Sequence, residues 1–264
     1  MKTFWTKTFG VCCRVFCLAL VGGAPVASRG GGLVAAWGDP ALTLLPPGVN
    51  DVKALSASFH TLALRSDGTV LGWGSNNWGQ ADVPAGLPEI RAVAAGGDFS
   101  VLLTAGGDVL AWGANYAGQT SVPLGLANVV AISAGGVHAL ALQADGTVVA
   151  WGNNGLAQTH LPPGLSNVVE IACGIDYNLA LTADGTVIAW GDDNFGQTNV
   201  PPGLSNVVAI AGGGGQSLAL RDDGTVVAWG NNSVGQSTVP PGLSNVIAIA
   251  AGIYHCRSRF IQRV

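Results

Sequence analysis

Short apolar runs recur along this chain at a fixed interval. Residues 206–214 read NVVAIAGGG, an apolar run bounded by glycine. Residues 216–223 read QSLALRDD, in which small or polar residues alternate with apolar ones, and residues 225–230 read TVVAWG, which is β-branched and aromatic. Runs of this length and content predict three β-strands, here called A, B and C. Asp-Gly stands between B and C at Asp67-Gly68, Asp145-Gly146, Asp184-Gly185 and Asp223-Gly224, and Gly106-Gly107 takes its place in the remaining copy. A two-residue Asp-Gly linker predicts a type I′ hairpin.

The interval is set by tryptophan. Trp73, Trp112, Trp151, Trp190 and Trp229 are spaced by 39, and Trp37 precedes Trp73 by 36. Gln80, Gln119, Gln158, Gln197 and Gln236 keep the same register, as do Pro84, Pro123, Pro162, Pro201 and Pro240. An antiparallel meander repeating every 40 or so residues is the pattern of propeller blades; β-helices lack the tight hairpin and helical repeats lack the alternation. GQTNVPPGLSN leads to the next unit, and its QTNVP portion is a candidate fourth strand at the blade edge, where proline is tolerated. The expected fold is all-β, a β-propeller of six repeat units of about 39 residues.

The consensus "VVAWGxNxxGQTxVPxGLxNVxAIAAGxxHxLAL…DGT" resembles the regulator of chromosome condensation repeat in its short bacterial form, over about residues 33–255. The resemblance implies a propeller, commonly of seven blades. It also implies a secreted relative that inhibits β-lactamases, and a founding member that exchanges nucleotide on a small GTPase and binds chromatin.

The ends break the count. The sixth A strand, NVIAIAAG (245–252), is followed by CRSRFIQRV, where SLALRADGTVVAWG is expected, and a C-type strand, LVAAWG (33–38), stands unused at the front. Two closures fit. Residues 33–38 and 245–261 join in one blade, giving six, or the chain forms an arc of a seven-bladed ring short of about one unit, the reading preferred here. The loss of pattern at Cys256 suggests a truncated or frame-shifted repeat. The propeller domain is expected over 31–264, with 256–264 off pattern.

Residues 1–30 differ in composition. Lys2, Lys7 and Arg14 precede an apolar run from Val15 to Ala27, which reads as a secretory leader. Its removal takes Cys12, Cys13 and Cys17, leaving Cys173 and Cys256, too few for a disulfide framework. Taking three bases from 11 leaves eight against 15 acids, about −7. So acidic a body carries no electrostatic footprint for nucleic acid, and no membrane insertion is expected once the leader is gone. The expected location is secreted, periplasmic or cell-surface.

Columns that never change serve the shape. The tryptophans are read as wedges between blades, each burying about 200 Å². The column opening strand B reads His60, Phe99, His138, Tyr177, Gln216 and His255. A ring of histidines invites a metal, but zinc needs three or four ligands about 2 Å away. His60 and His138 are two blades apart, so bonding to a neighbouring loop backbone is the plainer reading, and neither metal nor cofactor is expected.

Two columns vary freely, the A–B turn and the loop after Trp-Gly. In an A-up, B-down, C-up meander these share one face and the Asp-Gly turns occupy the other. That rim gathers Phe59, Trp78, Tyr116, Phe195 and Tyr254 among Asp98, Asp176, Asp192 and Asp193. Phe59, Trp78, Asp98, Tyr116, Asp176, Asp193, Phe195 and Tyr254 are the candidate partner-binding residues, because aromatic anchors on a rigid scaffold mark protein interfaces. The competing reading is that these side chains cover loop stems.

Catalytic signatures are sparse. The chain has no P-loop and no HExxH, and GGGG at 212–215 opens no helix. No enzyme activity is expected. The expectation is a secreted, non-enzymatic scaffold binding a protein or cell-surface partner through the aromatic rim. The resemblance supplies two alternatives, inhibition of a secreted enzyme such as a β-lactamase and nucleotide exchange; the leader, the acidity and the lack of a basic tail weigh against exchange.

Overall fold

The computed structural model describes residues 49–252 together with the strands at 17–21, 33–37 and 256–260. Tyr254 and His255, named above, lie outside the described residues. The first hairpin pairs β1 (Cys17–Val21) with β2 (Leu33–Trp37). Five three-stranded antiparallel sheets follow, each a blade with its strands in chain order. Blade 1 is β3 (Val52–Ala57), β4 (His60–Arg65) and β5 (Val70–Gly74). Blade 2 is β6 (Ile90–Ala95), β7 (Phe99–Thr104) and β8 (Val109–Gly113). Blade 3 is β9 (Val129–Ala134), β10 (His138–Gln143) and β11 (Val148–Gly152). Blade 4 is β12 (Val168–Cys173), β13 (Tyr177–Thr182) and β14 (Val187–Gly191). Blade 5 is β15 (Val207–Gly212), β16 (Gln216–Arg221) and β17 (Val226–Gly230). A last hairpin pairs β18 (Val246–Ala251) with β19 (Cys256–Phe260). Among the described residues there is no helix.

The alternation in strand B makes the core. Leu140 and Leu142 face blade 4 and pack with Val168, Ile171 and Trp190. Ala139 and Ala141 face blade 2, where they leave room for Trp151 against Phe99, Val101 and Leu103. Large residues on one face and small on the other let successive sheets interlock at native density. Trp112, Trp151, Trp190 and Trp229 are thus wedges between neighbouring blades, as their invariance predicts. Trp151, Trp190 and Trp229 also donate their indole N–H to the carbonyls of Gln119, Gln158 and Gln197 at 3.0, 3.1 and 2.9 Å. Burying such a side chain removes roughly 200 Å² from water, about 5 kcal/mol before entropy.

Strand A is innermost. The A strands of neighbouring blades lie side by side, and serine hydroxyls join them: Ser56 Oγ accepts from Ala95 N and Ser133 Oγ from Cys173 N, both at 2.9 Å. At the A–B turns the blades are tied directly. Gly136 N donates to Ile175 O at 2.7 Å, Ile175 N to Gly213 O at 3.1 Å and Gly214 N to Gly252 O at 3.2 Å. In blades 2, 3 and 4 the turn opens on a glycine that the strand-B column demands: a Cβ on Gly96, Gly135 or Gly174 would collide with the ring of Phe99, His138 or Tyr177, whereas the turn of blade 1 has no glycine.

Two expectations are corrected. The B–C turn is not a two-residue type I′ turn. Arg221 N bonds Thr225 O and Gly224 N bonds Arg221 O, which leaves three loop residues, with only the glycine at positive φ (+77°). That is a type I turn closed by a glycine bulge. Asp223 Oδ1 selects it by accepting from Thr225 N at 2.8 Å and Oγ1 at 2.6 Å. QTNVP forms no fourth strand. Thr198 N is taken by Asp193 Oδ1 and Val200 N by Thr198 O, so the donors a ladder would use are spent locally.

At the ends the structure separates the two closures. Residues 33–38 and 245–261 do not combine in one blade, because each end carries its own partner strand. Seven sheets result, five complete and two of two strands, which follows the arc reading of the blade count. β1 sits in the register of a strand B. Leu18, Ala19 and Leu20 oppose Ala36, Ala35 and Val34, as Leu140, Ala141 and Leu142 oppose Ala150, Val149 and Val148.

Candidate functional site

The A–B turn and the loop leaving strand C share one face, joined by one hydrogen bond per blade. Ser75 N donates to Phe59 O, Ala114 N to Asp98 O, Asn153 N to Val137 O, Asp192 N to Asp176 O and Asn231 N to Gly215 O, at 2.8–3.0 Å. The Asp-Gly turns lie at the opposite end of every blade.

The exit loop is built by two invariant side chains. Gln80, Gln119, Gln158, Gln197 and Gln236 are buried, and each Oε1 accepts from the backbone N–H two residues earlier, at Trp78, Ala117, Leu156, Phe195 and Val234 (2.8–2.9 Å). Asn76, Asn115, Asn154, Asp193 and Asn232 accept through Oδ1 from the N–H five residues later. With these backbone donors met from within, the loop holds its variable side chains outward, Trp78 in blade 1, Tyr116 in blade 2, Leu156 in blade 3, Phe195 in blade 4 and Val234 in blade 5. The glutamines, which mark the register of the repeat, are structural residues that fix the loop backbone. The signal was there: a polar residue kept five times inside an otherwise variable loop needs a structural partner.

The predicted rim residues divide by what they touch. Phe59, Trp78, Tyr116 and Phe195 are exposed, at 49%, 56%, 62% and 56%. The Trp78 and Tyr116 rings meet tilted at 57°, with centroids 6.1 Å apart. Phe195 lies over Gly215. Asp98 and Asp176 are half-buried and accept from Gln80 and Gln158 Nε2 at 3.3 and 3.4 Å. Asp193 is exposed, yet its carboxylate is the loop acceptor just described. The structure therefore joins Phe59, Trp78, Asp98 and Tyr116 into one cluster over blades 1–3. Asp176, Asp193 and Phe195 form a second over blades 4 and 5.

Where the A–B turns converge on the axis they enclose a cavity of about 300 Å³. Phe59, Asp98, Tyr116, Val137 and Ile175 wall its mouth, and Ala95, Ala134, Cys173 and turn glycines line its depth. Burial and then the charge of Asp98 raise the Tyr116 phenol above its usual pKa. Burial and then the charge of Asp192 raise that of Asp176. Among the described residues these loops carry Asp82, Asp98, Asp176, Asp192 and Asp193 and no lysine or arginine.

The groups best suited to chemistry are spent on the frame. His60 Nε2 pairs with Ser100 Oγ at 2.6 Å and His138 Nε2 with Asn178 Oδ1 at 2.8 Å, so each histidine bonds a side chain of the next blade, and His60 also meets the Gly97 backbone in that blade's A–B turn. Burial lowers both imidazoles to about 4. Burial pushes the Cys173 thiol up to about 12, well away from a reactive thiolate. Among the described residues no three His, Cys, Asp or Glu side chains gather as metal ligands, and no helix is long and apolar enough to cross a membrane.

Comparison with solved structures places the fold. Prp20p from Saccharomyces cerevisiae superposes with a TM-score of 0.71 at 22% identity, covering 93% of this chain and 78% of that one. Human WBSCR16 gives 0.66 at 23% identity, over 80% and 72% of the two chains. The ectodomain of the Physcomitrella patens receptor kinase CR4 gives 0.68 at 24% identity, over 84% and 62%. No curated protein matches the sequence. The profile of the regulator of chromosome condensation (RCC1) repeat matches residues 58–80, 90–119, 129–158, 168–197 and 207–236, more than half of the chain. Those segments coincide with the blades and their exit loops, and the chain belongs to the RCC1 repeat family.

Proposed function

We propose that this protein is a binding scaffold that engages a protein partner through the loop face, and that it performs no catalysis of its own. The observation that carries the reading is the placement of exposed aromatics. Phe59, Trp78, Tyr116 and Phe195 stand on the two variable loop columns of one face, on backbones fixed by buried glutamines. Large aromatic side chains held on a rigid frame bind at low entropic cost and dominate interface energies. Prp20p, similar in fold, is described with Kap60 and for its binding to Gsp1p and histones, which supports protein recognition as the use of such a propeller. We place the encounter outside the cytoplasm, on the strength of the basic residues Lys2, Lys7 and Arg14 ahead of the apolar run 15–27.

Photo-crosslinking tests the face. A benzophenone amino acid at position 78 or 116 is compared with one at position 145, on an Asp-Gly turn, in the native host. Discrete adducts from 78 and 116 but not from 145 are expected. Equal labelling from both ends, or adducts only from 145, would remove the loop face as the interface. Fractionation of the same cells tests location, and a wholly cytoplasmic product would overturn the export reading.

A further inference from the structure

We propose that the axial cavity receives one cationic side chain, an arginine or lysine of the bound protein, set against the Tyr116 ring with its charge beside Asp98. The inference rests on the loop-face reading and adds the chemistry of the contact. Three observations lead to it.

The first is the wall. Phe59 and Tyr116 line the mouth with Asp98 between the same turns, and Trp78 leans on Tyr116 from outside. An aromatic face attracts a cation within about 6 Å, and a carboxylate beside it fixes the charge. Asp98 has capacity to spare: its Oδ1 accepts one long bond from Gln80 Nε2 at 3.3 Å, and its Oδ2 has no hydrogen-bond partner among the described residues.

The second is the depth. A volume of about 300 Å³ floored by alanine and glycine fits one long side chain and admits no globular element. The turn backbones cannot serve as donors to an anion, because the Gly97, Gly136, Ile175 and Gly214 N–H groups are used in the blade-to-blade bonds.

The third is the distribution of charge. Lys53, Arg65, Arg91 and Arg221, the cations of residues 49–252, all sit at the Asp-Gly end, where Arg65 pairs with Asp67 at 3.1 Å. Among the described residues the loop face has carboxylates and no cation to neutralise them. Complementary potential of this kind steers and orients a basic partner.

The test uses the full-length protein and two blocked pentapeptides, Gly-Gly-Arg-Gly-Gly and the same peptide with citrulline, the neutral isostere. Binding is followed by NMR shifts of the loop-face amides. The arginine peptide should bind about tenfold more tightly than the citrulline peptide. Asp98→Asn keeps the acceptor for Gln80 and should erase that difference, and Tyr116→Leu should reduce it. Asp145→Asn, on the other end, should leave it unchanged. Equal affinity for arginine and citrulline, or a preference that survives Asp98→Asn, overturns the proposal. Crosslinks from position 78 that persist in the Asp98→Asn variant alongside either result would leave the loop-face reading standing and the cation pocket refuted.

Discussion

The two ends of the blades are made of the same kind of repeat and differ in what repeats. At the Asp-Gly end the glycine at positive φ is constant, and blades 1, 3, 4 and 5 share the aspartate and the threonine two residues on that bonds it, blade 2 alone having Gly106 and Asp108 there. Hydrogen bonds from that threonine hydroxyl hold the Asp67 and Asp223 carboxyls below the usual carboxylate range. At the loop end the frame is nearly as constant, a buried glutamine in every exit loop and an asparagine in all but blade 4, where Asp193 stands, but the outward residue changes from Trp78 to Tyr116, Leu156, Phe195 and Val234. Variation is confined to side chains whose backbone is already satisfied. A scaffold of this design can alter its crown without touching its frame.

The comparison can be broken hardest at the wedge. Trp229→Ala removes a side chain packed between blades 4 and 5 and its bond to Gln197 O, and should cost about 3–5 kcal/mol in denaturant unfolding, loosening both ends together. Acid should be next. Folded His60 and His138 resist protonation to about 4, whereas the unfolded chain takes protons near 6.5. The unfolded state binds more protons between those values, so stability is complete above pH 6.5 and falls as the pH drops toward 4. His138→Phe copies Phe99 of blade 2 and should reduce that slope by about half, read as melting temperature against pH. Gln197→Ala should cost less, about 1–3 kcal/mol, and its mark should be local: faster hydrogen exchange at the Phe195 amide with Asp-Gly amides unchanged. The smallest effect on stability belongs to Trp78→Ala, Tyr116→Ala and Phe195→Ala, each within about 0.5 kcal/mol, although together they should abolish partner crosslinking. A triple variant that unfolds would mean these rings cover loop stems instead.

Much of this was legible in the chain. The 39-residue interval and the alternation in strand B predict the blades, the wedge and the sharing of one face by two loops, because all three follow from periodicity. The turn class was not legible, since Asp-Gly suits both a type I′ turn and a glycine bulge, and the choice falls to the threonine after it. The missing fourth strand has the same origin: QTNVP has strand-like content, but its donors answer to Asp193. The axial cavity depends on how six turns converge, which no single repeat contains. Cys17–Val21 marks the deepest ambiguity. A middle strand buried on both faces is a short unbroken apolar run, and so is the centre of an export leader; CLALV satisfies both descriptions, and only its register against Leu33–Trp37 adds information.

Equivalent strands of neighbouring blades are joined by bonds that span nearly one period. Ser56 meets Ala95, Ser133 meets Cys173, His138 meets Asn178 and the Tyr177 hydroxyl donates to Gln216 O, separations of 39 or 40 residues. Slippage during DNA replication that removes or duplicates one whole unit would therefore rejoin the chain with each surviving joint still matched. Such a gene can change the number of its blades in a single event, while the chemistry by which one blade grips the next passes through unaltered.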